Sequence, residues 1–198
     1  MSAALFSYLS IAMLTRDELI KEISKTLVKI KVVKLTAILQ KQQFALRDLI
    51  DITFHPDKNI AFRAAWILEN LFLQKPETYL EDLDYLISRV HDVTNESCKR
   101  HYAKIVMHIT NPKAPLPIRE KLKETDLEPV AEQLFDWMID PKVRIAVKVF
   151  AGDALFNLRE RYPVIKEELA EQIRFLMRDG TAAIQSRGKK ILHALQSP

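Results

Sequence analysis

Apolar positions along the chain recur in two alternating helical frames, and residues 55–73, HPDKNIAFRAAWILENLFL, set the layout. An Asp or His ends one helical stretch, and eight residues later a lone Arg or Lys lies inside the next. The pairs are His55/Arg63, Asp92/Arg100, Asp140/Lys148 and Asp179/Arg187, in steps of 37, 48 and 39 residues. Ahead of each pair, Leu46, Leu83, Ala131 and Ala170 form one column and Leu49, Leu86, Leu134 and Ile173 a second. Thr53, Val90, Met138 and Met177 form a third column. The 3-4 spacing predicts that one face of each first helix packs on its own second helix. The second helices continue with Ala65-Trp66, Tyr102-Ala103, Phe150-Ala151 and Lys189-Lys190. The last pair is polar, as expected where nothing stacks beyond it.

The pattern divides one domain of 198 residues into a helical cap or half repeat (1–40) and four helix pairs at 41–76, 77–110, 127–163 and 164–198. In the cap, Ile20, Ile23, Leu27 and Ile30 predict a helix from Asp17 to about Lys31, with Lys21, Lys25 and Lys29 along another face. Thr15 and Glu18 have capping-box spacing. Ala3–Leu14 is apolar but far shorter than the ~20 residues that span a bilayer. It reads as a capping helix, as sequence upstream of a start at Met13, or as a targeting segment. Residues 111–126 are a proline-rich insertion, NPKAPLP followed by a charged run, and are expected to be the longest irregular stretch. They serve either as a functional loop or as a linker.

Composition narrows the class. Only three glycines and a dominance of Leu, Ala, Ile, Lys and Glu point to an all-α chain. Periods near 40 residues made of helix pairs are the signature of HEAT- or armadillo-type solenoids, so the expected fold is a right-handed α-α superhelix. The net charge of +4 permits an acidic partner or nucleic acid without requiring either. A single cysteine, Cys98, excludes an intrachain disulfide framework and suits a reducing cytoplasm.

The basic column allows two readings. Along one surface, Arg63, Arg100, Lys148 and Arg187 would form a phosphate-binding stripe. Alternatively, Asp57, Asp92, Asp140 and Asp179 cap the second helices and pair with the bases. The latter pattern resembles the HEAT-repeat consensus, in which an inter-helix Asp and a second-helix Arg form a ladder, and it is the expected one.

Gly152, Gly180 and Gly188 cannot build a phosphate-cradling loop, and Gly152, inside a helix, is expected to permit close packing. No H-E-x-x-H occurs. Cys98 and His101 stand at i,i+3 but are too few for a closed metal site, and no catalytic residue, metal or cofactor is expected. Trp66 and Trp137 fall in apolar runs and read as core.

The segments Ala64–Glu69 and Phe135–Ile139 resemble those of small bacterial HEAT-like proteins of unassigned function, some of which carry the name adenylosuccinate lyase. The S-S-x-M-P-x-K-x-N loop of that lyase superfamily is absent here. More distantly, the chain resembles the DNA alkylation repair glycosylases, whose Trp, Asp and Arg find their nearest residue types in Trp66, Asp153 and Lys148. The leading expectation is a non-enzymatic scaffold that binds a protein along its second helices, through Arg63, Trp66, Arg100, Lys148 and Arg187. Nucleic-acid binding is the alternative, and a lyase the third reading.

Overall fold

The structure, a computed structural model, describes residues 13–25, 29–41 and 43–196. Among these, the chain forms eleven α-helices and no strand. They are α1 (Arg16–Ser24), α2 (Lys29–Leu39), α3 (Leu46–Ile52), α4 (Lys58–Gln74), α5 (Leu83–Ser88), α6 (Glu96–Ile109), α7 (Leu116–Glu124), α8 (Glu128–Ile139), α9 (Ile145–Leu158), α10 (Ile165–Met177) and α11 (Ala182–Gln196). Short 3₁₀ turns cover Pro76–Asp82 and Val90–Asp92. Of the apolar N-terminal stretch, residues 3–12 lie outside the described residues. No described helix is long and apolar enough to cross a membrane.

The helices form two rows. The second helices α2, α4, α6, α9 and α11 pack on one another in chain order, and α3, α8 and α10 lie against their own partners α4, α9 and α11. The all-α expectation therefore holds, with helix pairs stacked as a solenoid. The three first-helix columns are the reason: Leu46, Leu49, Thr53, Leu83, Leu86, Val90, Ala131, Leu134, Met138 and Ile173 are all buried, while Ala170 and Met177 are half-buried. On the second helices Ala64, Ala65, Ala103 and Ala151 are fully buried, which lets adjacent helix axes approach closely. Lys189 and Lys190, at the end of the row, are exposed.

The N-terminal segment differs from expectation. Instead of one helix to about Lys31, α1 ends at Ser24 with Lys25 as its C-cap, and α2 follows, so the segment makes a helix pair of its own. Its start is as read. Thr15 accepts from the Glu18 amide at 3.4 Å, and the Glu18 carboxylate accepts from the Thr15 amide at 2.9 Å. Those hydrogen bonds, the backbone one foremost, hold the Glu18 carboxyl below its ordinary value.

The proline-rich insertion is also more regular than expected, because α7 occupies its second half. Pro115 precedes the helix and Pro117 lies in its first turn, where a missing N–H breaks no helical bond. α7 packs against the Pro76–Asp82 turn. Lys121 pairs with Asp84 at 2.5 Å and the Thr125 hydroxyl donates to the same carboxylate at 2.8 Å, fastening the insertion to α5.

Candidate functional site

Phe62 and Trp66 stand one turn apart on α4, half-buried on the open side of the second-helix row, with ring centroids 5.7 Å apart. From α6, His101 inserts beside both rings, 5.3 Å from Phe62 and 6.2 Å from Trp66, lying nearly parallel to the indole at 22°. Its Nδ1 donates to Glu69 Oε2 at 2.5 Å, and Lys104 Nζ donates to Glu69 Oε1 at 2.6 Å. Glu69 and His101 are 5% and 3% exposed, so this polar seam lies within the α4–α6 contact. Burial pushes the Glu69 carboxyl upward, but the hydrogen bonds from His101 and Lys104 outweigh it and leave the group below its ordinary value of 4.5. An ionised carboxylate only accepts, so His101 Nδ1 carries the proton. His101 Nε2 is buried with no hydrogen-bond partner among the described residues. Lys104 continues to α9, its Nζ 6.0 Å from the Phe150 ring centroid. Aromatic faces on α4, α6 and α9 are thus held in place by a buried ionic seam.

The grooves lie elsewhere. One of about 510 Å³ runs between the turns at Thr53–Pro56 and Val93–Ser97, and another of about 450 Å³ lies between α7 and the end of α9. The aromatic patch lines neither of them, so it is a surface rather than a cleft.

A HEAT repeat domain family model matches residues 15–195, nearly the whole chain. The chain belongs to the HEAT repeat domain family. No curated protein matches it. It is accordingly a helical repeat scaffold of the kind that typically mediates protein interactions.

Within this HEAT repeat chain the expected Asp-to-base ladder is absent among the described residues. Arg63 Nη1 donates to the Ser24 carbonyl at 2.9 Å, tying α4 to the end of α1. Lys148 is buried and donates to the Met138 carbonyl at 2.8 Å. That burial lowers its pKa, with Asp140 opposing. Arg187 Nε pairs with Asp153 at 2.5 Å, between α11 and α9. Burial still raises the Asp153 carboxyl against the pull of Arg187. Arg100 is exposed and has no hydrogen bond or ion pair among the described residues. The four bases therefore form neither a ladder nor a continuous stripe.

The acids explain why. Asp92 stands four residues before α6, Asp140 five before α9 and Asp179 three before α11, too far from those helix starts to cap them. Asp92 pairs with Arg89 and His91 at 2.5 and 2.9 Å, and Asp140 accepts from the Lys142 amide at 2.8 Å. Asp57 does cap α4, accepting from Asn59 and Ile60. Asn95 caps α6 in place of Asp92.

Two groupings that the sequence leaves open also separate. Trp66, Asp153 and Lys148 have different partners and do not converge. Cys98 turns to the Thr53 carbonyl while His101 turns to Glu69. Among the described residues, three or more potential metal ligands cluster nowhere. Trp137 is buried as expected, at 2% exposure, whereas Trp66 is only half-buried. Glu69, His101 and Lys104 do not stand out as one cluster in the sequence, where His101 pairs by spacing with Cys98. The available signal was Glu69 as the sole charge in the apolar run 64–73.

Proposed function

We propose that this protein is a non-enzymatic scaffold that binds another protein along the open face of its second-helix row. The observation carrying this reading is the Phe62–Trp66 patch, pre-organised by the Glu69–His101–Lys104 seam beneath it. Aromatic side chains that are partly exposed yet conformationally fixed give contact area with little ordering entropy, which is the property of interface anchors. The titratable side chains of the patch are committed to holding α4 on α6. We extend the proposal to the cytoplasm, the compartment that a single cysteine suits.

The nucleic-acid alternative, and with it kinship to the DNA alkylation repair glycosylases, draws less support. Lys148 is buried on a carbonyl, Arg63 is tied to Ser24 and Arg187 to Asp153, which leaves Arg100 as the one base of the expected column with no bonded partner among the described residues. Phosphate recognition needs several such groups in series.

A photo-crosslinking side chain at position 100, exposed and without a bonded partner among the described residues, tests the proposal against a control at Glu132 on the first-helix row. The expected result is a saturable protein adduct from position 100 that is weak or absent from 132. Adducts formed mainly at 132 overturn it.

A further inference from the structure

The two rows of helices carry opposite charge. Counting Lys and Arg against Asp and Glu, the second helices hold +3 on α2, +1 on α4, +2 on α6, none on α9 and +3 on α11, a total of +9. The first helices hold −1 on each of α1, α3, α5 and α10 and −3 on α8, a total of −7. A net charge of +4 conceals this polarity. The basic charge is not uniform along its row. α9 is neutral, and it offers the half-buried Phe150 next to Lys104. Exposed cations flank this apolar centre: Lys34 on α2, Arg100 on α6, and Lys189 and Lys190 on α11.

Building on the proposed scaffold role, we infer that the second-helix row receives an acidic amphipathic helix of another protein. Its apolar side would seat on Phe62, Trp66 and Phe150, and its carboxylates would face Arg100, Lys34 and the α11 lysines. A helix laid on a helical face presents apolar anchors at i, i+3, i+4 and i+7, and a field of one sign across a row selects and steers a partner of the opposite sign. A polyanion such as nucleic acid fits less well, because the cations are interrupted by an apolar, neutral stretch at α9. A second copy of the chain, offering its acidic first row, would join unlike faces and stack without closure.

The test uses the full chain and a fluorescein-labelled synthetic amphipathic helix with a Leu/Phe stripe backed by Glu. Controls are the same peptide with Glu replaced by Lys, the same peptide with its apolar stripe replaced by Ser, and a labelled single-stranded DNA. Anisotropy titrations are run at low and high salt. The acidic peptide is expected to bind, to weaken by about tenfold with Arg100→Glu and again with Lys34→Glu, and to weaken with salt. Glu132→Lys on the first row should leave binding unchanged. Both control peptides should bind at least tenfold more weakly. Arg100→Glu and Lys34→Glu alter exposed side chains with no partner among the described residues, and unchanged thermal melts will confirm that both variants fold. Tighter binding of the DNA, equal binding of the Lys peptide, or no peptide binding overturns the inference. So does self-association that disappears with Glu132→Lys. Competition separates this failure from that of the scaffold reading. A partner that crosslinks at position 100 but is not displaced by the acidic peptide leaves the scaffold standing and removes the acidic helix. No adduct at position 100 removes both.

Discussion

Glu69 and His101 meet at 2.5 Å across the seam between α4 and α6, each nearly free of solvent contact. Lys104, at 2.6 Å, supplies the second donor to the same carboxylate. Two donors on one buried acceptor offset the cost of removing that charge from water, and they fix the register of two neighbouring repeats.

Replacing Glu69 by Ala is expected to destabilise the chain by about 3 kcal/mol, because it strands His101 and Lys104 beside an empty, dry seam. Urea denaturation measures this. The Glu69 carboxyl lies below its ordinary 4.5 in the folded state, so the unfolded chain binds the extra proton. The pair's contribution is therefore full above the ordinary carboxylate range and fades as the pH falls through the folded value. The acid-side slope of stability should be shallower in Glu69→Gln than in the wild type.

Gly188 and Gly152 should respond in opposite directions to Ala. At Gly188 a Cβ would stand 2.5 Å from Met177 Sδ and 3.0 Å from Ile173 Cγ2, so the flexible Met177 side chain must swing aside and Ile173 give way slightly, at a cost of about 1 kcal/mol. At Gly152 the nearest atoms would be 3.6–3.8 Å away, which is ordinary packing. There Ala restores helix propensity and should stabilise by about 0.5–1 kcal/mol. Thermal melts of the two variants should shift to opposite sides of the wild type.

Lys148→Met is expected to leave stability unchanged or raise it by about 1 kcal/mol, about 2–4 °C in melting temperature. It removes a buried charge, and the Met138 carbonyl keeps Gln172 Nε2 at 3.2 Å as a donor. Because burial lowers the lysine's folded value, the unfolded chain holds its proton to higher pH. Wild-type stability should rise through the window below 10.5, and the Met variant should lack that rise.

Cys98 should be inert in the folded chain. Burial pushes its thiol up to about 12, and the sulfur lies 3.8 Å from the Thr53 carbonyl. A chromogenic disulfide reagent should titrate one thiol only after denaturant is added. Rapid reaction of the native protein would contradict the packing described around α6.

The spacing of Leu49, Leu86, Leu134 and Ile173 was enough to establish stacked helix pairs, because burial of one face per helix is written into the 3-4 period. Capping by Thr15 and Glu18 was equally legible, being a contact between residues three apart. The sequence predicts an irregular insertion where α7 forms, because prolines at a helix start are indistinguishable by count from prolines that forbid one. Gly152 and Gly188 both lie inside helices, so the sequence does not tell which of them a Cβ would crowd, and only the distance to Met177 separates them. The partners of Arg63, Lys148 and Arg187 differ from the expected acids for a related reason. A long cation reaches whichever carbonyl or carboxylate lies within a few ångströms, and neighbouring helices, not spacing along the chain, set those distances. The half-buried Trp66, its contact with His101 and the seam on Glu69 all arise between α4 and α6. Sequence by itself determined the helices, their pairing and the sum of charge. The tertiary structure alone decided which aromatic stays half-exposed and which cation has no partner among the described residues, because these depend on distances across repeats that local periodicity does not encode.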